Sequence, residues 1–186
     1  ARRSCATVAA AVRWGQGGAM AAGDSRKAAV RPTRGQYFML RAVATRERAA
    51  CLRRHVGAIL VADQRIIATG YNGTPTGFPN CDEGGCHRCA HPDQYEAGLG
   101  YDVCIGVHAE QNAVLQAARL GYTASGSTCY STLRPCFGCL KELYQAGVAG
   151  IRYLNPWMPV DPAEAGAYAD RLAELEARGV QVCELA

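Results

Sequence analysis

The amino-acid sequence predicts a layered α/β domain with five strands. Segments with helical composition alternate with short segments rich in β-branched and apolar residues, and several helical segments end at a glycine. The predicted order of elements is α-β-β-α-β-α-β-α-β. A chain of 186 residues suits one domain with a sizeable core.

The first half of the chain predicts a helix followed by a β-hairpin. Residues 37–54 have a helical pattern, whereas residues 56–61 and 65–70 have the composition of strands. Asp63 and Gln64 separate the two strands, and such a short connection indicates a tight turn.

The second half predicts three helices that alternate with three strands. The helices span residues 109–120, 137–146 and about 161–178, closed by Gly121, Gly147 and Gly179, and the strands span 127–133, 151–154 and 180–183. His108 and Cys136 therefore lie at the starts of two helices. The partial positive charge of a helix N-terminus favours anionic ligands such as thiolates, so we expect both helix starts to converge on one site.

One histidine and two cysteines have the spacing of a catalytic zinc site. His108 lies two residues before Glu110, and Cys136 and Cys139 follow directly after Pro135. Three such ligands leave the fourth tetrahedral position of Zn²⁺ to water, whose pKa the metal lowers to about 7. A carboxylate that does not bind the metal can act as general acid and base, which makes Glu110 the candidate catalytic residue. Alone, each motif also fits a helix cap, a zinc knuckle or a redox pair; in this order they are typical of zinc-dependent deaminases of cytosine and adenine.

Longer segments around these motifs resemble the deoxycytidylate deaminase family. The similar segments are residues 51–57, 70–75, 108–113 and 132–139, and the resemblance runs from about residue 37 to the C-terminus. It implies a cytidine-deaminase-like fold, with three α/β/α layers around a central mixed five-stranded sheet. It also implies hydrolysis of dCMP to dUMP and ammonia, which supplies dUMP for thymidylate synthesis in pyrimidine nucleotide metabolism.

The same resemblance implies roles for further residues and for partners. Asn72 carries over as a contact to the sugar or phosphate, and the main chain of Ala109 as part of the base pocket. A homo-oligomer, often a hexamer, with allosteric regulation by dCTP and dTTP is implied as well. For Asn72 a role in a turn is equally open, because Asn-Gly is itself a strong turn signal.

A second group of cysteines exceeds what one catalytic zinc uses. Its members are Cys51, Cys81, Cys86, Cys89 and Cys104. Some members of the family place a structural zinc here, and four of these thiols predict one because a long loop without obvious secondary structure needs an organising centre. Disulfides are the alternative. Gly106 stands where some relatives have a metal-binding side chain, so the identity of the four ligands is left open.

The charge of the chain is strongly asymmetric. Residues 1–54 hold 12 Lys and Arg against 2 Asp and Glu, whereas residues 55–186 hold 8 against 14. The acidic body argues against a nucleic-acid partner and favours a mononucleotide. Arg134 is a candidate contact to the phosphate of that mononucleotide; the alternative is that Arg134 is an ordinary surface arginine.

No apolar run approaches the roughly 20 residues of a membrane span, so we expect no membrane partner.

The first 35 residues differ from the deaminase domain that we expect over residues 36–186. They are rich in Ala, Gly and Arg, and Asp24 is their only acid. A disordered extension and an organelle transit peptide both fit, so the expected localisation is cytoplasmic or organellar.

Two other functions of the protein are open. One is a deaminase of another small cytosine or purine compound. The other is a zinc-organised interaction protein without catalysis, against which the intact Glu110 counts.

Overall fold

A mixed five-stranded sheet forms the centre of the domain. The computed structural model describes residues 31–95 and 100–185. The strands are β1 (Gly57–Ala62), β2 (Arg65–Tyr71), β3 (Thr128–Leu133), β4 (Gly150–Asn155) and β5 (Gln181–Glu184). They lie in the order β2-β1-β3-β4-β5, with β1 antiparallel to β2 and β3, and with β3, β4 and β5 parallel to one another. The predicted sheet is confirmed.

Helices cover both faces of this sheet. They are α1 (Arg34–Arg46), the short α2 (His87–Ala90), α3 (Ala109–Arg119), α4 (Phe137–Gln145) and α5 (Pro162–Ala177). Ile59 and Val61 of β1 pack against α1, whereas Ala58 and Leu60 belong to the core that includes α3, α4 and α5. Because successive strand residues point to opposite faces, β1 is apolar on both sides, and the three-layer prediction is confirmed.

The predicted turns and helix ends are confirmed at the backbone level. Asp63 and Gln64 both have positive φ, of 47° and 63°, as a two-residue hairpin turn requires. Gly121, Gly147 and Gly179 have φ of 74°, 78° and 97° directly after the helix ends. The strands and helices of the second half start and end within about two residues of the predicted positions.

The prediction for the first helix is wrong at both ends. The helix begins at Arg34, because Thr33 and Gln36 form a reciprocal capping box, and it ends at Arg46 rather than at residue 54. Residues 47–56 form a loop that carries Cys51 to the second group of cysteines, so tertiary packing overrides the local preference for helix. Regular structure thus starts before residue 36, and the predicted extension lies mostly outside the described residues.

The stretch between β2 and α3 contains short helical turns. Besides α2, it forms 3-10 turns at residues 81–83, 92–94 and 101–103. Within the described parts of the chain, no helix is long and apolar enough to cross a lipid bilayer.

Strand β2 passes directly against the start of α3. A Cβ atom at Gly70 would overlap the carbonyl oxygen of Ala109 and the main-chain nitrogen of Ala113. The absence of a side chain at Gly70 therefore lets the strand support the helix that starts beside His108.

We predict that Gly70→Ala lowers the free energy of unfolding by about 2–3 kcal/mol, because strand and helix must separate to admit the methyl group. Urea denaturation measures this change. Gly166→Ala on α5 is the control: its added Cβ meets no atom within 4 Å, so helix propensity should raise stability by about 0.5–1 kcal/mol. Equal stability of wild type and Gly70→Ala would contradict the close approach.

Candidate active site

Three side chains that could hold a metal ion meet where α3 and α4 begin. His108 is the N-cap of α3, Cys136 is the N-cap of α4, and Cys139 lies in the first turn of α4. His108 Nδ1 is 3.4 Å from Cys136 Sγ and 3.3 Å from Cys139 Sγ. A tetrahedral Zn²⁺ with ordinary bond lengths separates its nitrogen and sulfur ligands by about 3.5 Å, so the three residues fit this metal.

Side-chain contacts hold the two helix starts together. Gln111 Oε1 accepts a hydrogen bond from the His108 main-chain nitrogen at 2.8 Å, and Gln111 Nε2 donates to Glu142 Oε1 of α4 at 2.9 Å. The hydroxyl of Tyr168 on α5 donates to the Pro135 carbonyl oxygen at 2.8 Å. These bonds fix the turn before α4 and its distance from His108.

The electrostatics of the cluster favour a thiolate. The hydrogen bond with the Cys139 thiol, with a further contribution from His108, lowers the pKa of Cys136 to about 4 although burial opposes this. The hydrogen bond to Cys136 in turn raises the pKa of His108. The hydrogen bond with Cys136, together with burial, raises the pKa of Cys139 well above its ordinary value, so Cys136 is the member of the pair that carries the thiolate, the form of cysteine that binds metal.

Glu110 is the buried carboxyl beside these ligands. It is 4% exposed, and Ser131 Oγ donates a hydrogen bond of 2.8 Å to its Oε1. Burial is the main cause that raises the pKa of Glu110. Ser131 was not predicted from the sequence. The one signal that could have identified it is a hydroxyl on the buried face of β3, the face that also carries Cys129.

A cavity of about 1060 Å³ opens in front of this cluster. Of the residues predicted for the catalytic site, His108, Cys136, Glu110, Asn72, Ala109 and Arg134 line it, whereas Cys139 is buried and does not. Of the second group of cysteines, Cys51, Cys81 and Cys104 line it as well. The structure also places Trp157, Arg88 and Tyr101 on the wall. Trp157 and Tyr101 lie in no motif, and Arg88 stands between Cys86 and Cys89 with no signal of its own, so none of the three was predicted from the sequence.

Asn72 lies in the cavity wall with its carboxamide bound to the main chain. Its Oδ1 accepts from Val56 N at 2.7 Å, and its Nδ2 donates to the Arg54 carbonyl oxygen at 2.7 Å. Asn72 therefore fixes the loop before β1. Its contact to substrate stays a prediction.

The positively charged side chain of Arg134 lines the cavity and forms no salt bridge with a described residue. Its guanidinium lies 5.4 Å from the ring centroids of both Tyr153 and Tyr168. Its Nη1 is 3.3 Å from Met158 Sδ, and its buried Nε has no hydrogen-bond partner. This arrangement suits an anionic ligand.

The second group of cysteines also forms one cluster. The sulfur atoms of Cys51, Cys81 and Cys89 lie within 4.8 Å of one another, and Cys86 Sγ lies 4.0 Å from Cys104 Sγ. The cysteines in the described parts of the chain form no disulfide bonds. The loop after α1, α2 and the stretch before α3 thus meet at this cluster.

Comparison with known proteins supports the resemblance seen in the sequence. Residues 32–155 match the model of the cytidine and deoxycytidylate deaminase zinc-binding region. Deoxycytidylate deaminase of Schizosaccharomyces pombe is 41% identical over 123 residues, which cover 66% of this chain and 37% of that protein. ComE operon protein 2 of Bacillus subtilis is 33% identical over 154 residues, which cover 81% of this chain and 71% of that protein.

A solved structure agrees with the fold. The crystal structure of dCMP deaminase from the cyanophage S-TIM5 in complex with dCMP and dUMP matches with a TM-score of 0.61 and 29% identity, covering 84% of this chain and all of that one. The chain spans little more than a third of the length of the fission-yeast relative. The family model matches most of the residues that the structure describes in this chain. With the metal-ligand geometry and the mixed sheet, these matches show that the chain belongs to the cytidine and deoxycytidylate deaminase family.

Proposed function

We propose that this protein is a zinc-dependent hydrolase that converts dCMP to dUMP and ammonia and so supplies dUMP for thymidylate synthesis. The observation that carries the proposal is a buried, non-ligating carboxyl, Glu110, beside a three-ligand metal site in a cavity that also holds the uncompensated cation Arg134. The names of the fission-yeast relative and of the cyanophage enzyme support this choice of substrate.

In the proposed mechanism, His108 Nδ1, Cys136 Sγ and Cys139 Sγ hold the zinc. When bound, the metal supplies a water of lowered pKa as the nucleophile. Glu110 would take a proton from the attacking water and deliver it to the ring nitrogen beside the attacked carbon. The carboxylate would then take the remaining proton of the same oxygen and pass it to the amino group, which leaves as ammonia while that oxygen becomes the carbonyl oxygen of the product.

The surroundings of Glu110 suit both halves of this proton transfer. Ser131 holds Oε1 by its hydrogen bond and thereby fixes the rotamer, which leaves the second oxygen for the substrate. Because burial raises the pKa of Glu110, the carboxyl can hold the proton between the two steps.

Arg134 is the proposed contact to the 5′-phosphate. Cation–π contacts with two tyrosine rings hold its guanidinium in place, so little side-chain entropy is lost when an anion binds. Its lack of a carboxylate partner leaves the charge available for a phosphate.

A second, structural zinc is proposed at the other cysteine cluster. Cys51, Cys81 and Cys89 lie within 4.8 Å of one another, and Cys86 is fully buried in the same cluster. Cys104 contacts the cluster through Cys86. We therefore assign Cys51, Cys81, Cys86 and Cys89 as the four ligands and leave Cys104 outside the set.

A homo-oligomer, in the form of a hexamer with dCTP and dTTP as effectors, is part of the proposal. Three apolar side chains on and after α3 support a subunit contact: Leu115, Leu120 and Tyr122 are each more than half exposed. Localisation in the cytoplasm or in an organelle stays a prediction, since it depends on residues outside the described range.

We predict that Glu110→Gln lowers kcat for dCMP by at least about 10²-fold, because the amide keeps the size of the side chain but cannot transfer protons. Ammonia release measures the rate, and metal analysis with circular dichroism should show unchanged zinc content and fold. Near-normal turnover would assign the proton transfer to another group.

We predict that the phosphate contributes strongly to recognition of the substrate. The wild type should have a kcat/KM for dCMP at least about 10²-fold above that for deoxycytidine, and single-stranded DNA should be inert. Arg134→Met should raise the KM for dCMP about 10- to 100-fold without affecting deoxycytidine.

Arg65→Met, at an exposed arginine of β2 outside the cavity, is the matched control and should behave as wild type. Equal kcat/KM values for deoxycytidine and dCMP would move the assignment to a neighbouring group of deaminases. A panel that adds CMP, dCTP and guanine identifies that group.

We predict about two zinc ions per chain in the purified protein, as measured by inductively coupled plasma mass spectrometry. Cys81→Ser should retain about one, because the second site loses a ligand, whereas Cys104→Ser should retain two. One zinc in the wild type would rule out the second site, and one zinc in Cys104→Ser would show that the ligand set includes this residue.

A further inference from the structure

The stretch that carries the second cysteine cluster also presents an aromatic ring to the active-site cavity. Tyr101 lies on the 3-10 turn at residues 101–103, lines the cavity and is 46% exposed. Its ring centroid is 6.5 Å from that of His108, with an angle of 75° between the two planes. A half-exposed ring beside the metal-binding residues offers a flat apolar surface to a ligand.

A buried arginine packs against the face of this ring. Arg88 is 5% exposed, and its guanidinium carbon lies 4.4 Å from the Tyr101 ring centroid. Arg88 belongs to α2, between the buried thiols of Cys86 and Cys89. Because a cation prefers the face of an aromatic ring, this contact fixes the ring plane as well as its place.

The neighbours of Tyr101 along the chain make close contacts as well. Gly100 has a φ of 71°, and a Cβ atom there would overlap the ring of Tyr95. On the other side, Cys104 N donates to the Tyr101 carbonyl oxygen at 3.1 Å, and Cys104 Sγ lies 4.0 Å from Cys86 Sγ. The cysteine cluster, α2 and the turn that carries Tyr101 therefore form one connected unit.

We propose that Tyr101 is a substrate-binding residue that packs against the pyrimidine ring, and that Arg88 is the positioning residue that orients it. This inference rests on the proposed function, because the flat ring that it needs is the cytosine of the mononucleotide. The contact stabilises the bound base, whereas Glu110 carries out the proton transfer. Loss of Tyr101 therefore weakens substrate binding and leaves the chemical step nearly unchanged.

The test compares Tyr101→Ala, Tyr101→Leu, Tyr101→Phe and Arg88→Met with wild type. Tyr37→Ala is the matched control, because Tyr37 is also an exposed tyrosine beneath an arginine, Arg41, but lies on α1 outside the cavity. Steady-state kinetics give kcat and KM for dCMP. Isothermal titration calorimetry gives the Kd for dCMP in the Glu110→Gln background, where binding is measured without turnover, and metal analysis reports zinc content.

Tyr101→Ala and Tyr101→Leu should raise KM and Kd about tenfold, with kcat changed less than about threefold and zinc content unchanged. Tyr101→Phe should match wild type, because it keeps the ring, and Tyr37→Ala should do the same. Arg88→Met should raise KM and add nothing further in the Tyr101→Ala background, since it acts through that ring.

An unchanged Kd in Tyr101→Ala and Tyr101→Leu, with a wild type that deaminates dCMP, overturns this inference and leaves the proposed function intact. An equal loss in Tyr101→Phe overturns it as well, because the hydroxyl would then carry the effect. A wild type that neither binds dCMP nor releases ammonia from it refutes the proposed function, and the assignment of the pyrimidine ring to Tyr101 fails with it.

Discussion

The convergence of two helix N-termini is the constraint on which the rest of the site depends. His108 Nδ1 lies within 3.4 Å of two sulfur atoms only because α3 and α4 start side by side at one end of the sheet. Gly70 lets β2 support α3, and Gln111 ties α3 to α4. The layered fold thus serves to hold one imidazole, two thiols and the carboxyl of Glu110 at fixed distances.

The sequence predicts the metal-binding residues and most of the elements, because both depend on local signals. Helix ends at Gly121 and Gly147 and the turn at Asp63 and Gln64 follow from backbone preferences within a few residues. The end of the first helix at Arg46 was missed, because residues 47–54 leave the helix to place Cys51 in a tertiary cluster. The surplus of thiols predicted the cluster, but local composition does not show that the helix must end at Arg46 for Cys51 to reach it.

Ser131 and Tyr101 could not be predicted from the sequence either, because their roles depend on tertiary contacts. Ser131 on β3 donates a hydrogen bond to Glu110 on α3. The ring of Tyr101 lies 6.5 Å from that of His108, although no motif marks this part of the chain. The second cysteine cluster was visible as a surplus of thiols, but its link to the cavity through Arg88 needs the three-dimensional structure. In this account the cluster shapes the active-site wall as well as the fold.

The most direct test of the account is a crystal structure with bound dUMP, with anomalous diffraction measured at the zinc edge. The account predicts a zinc peak within bonding distance of His108 Nδ1, Cys136 Sγ and Cys139 Sγ. The Glu110 carboxylate should lie off the metal, facing the ring of the nucleotide. A zinc ion bound by Glu110 as a fourth protein ligand, or no anomalous peak at this site, would contradict it.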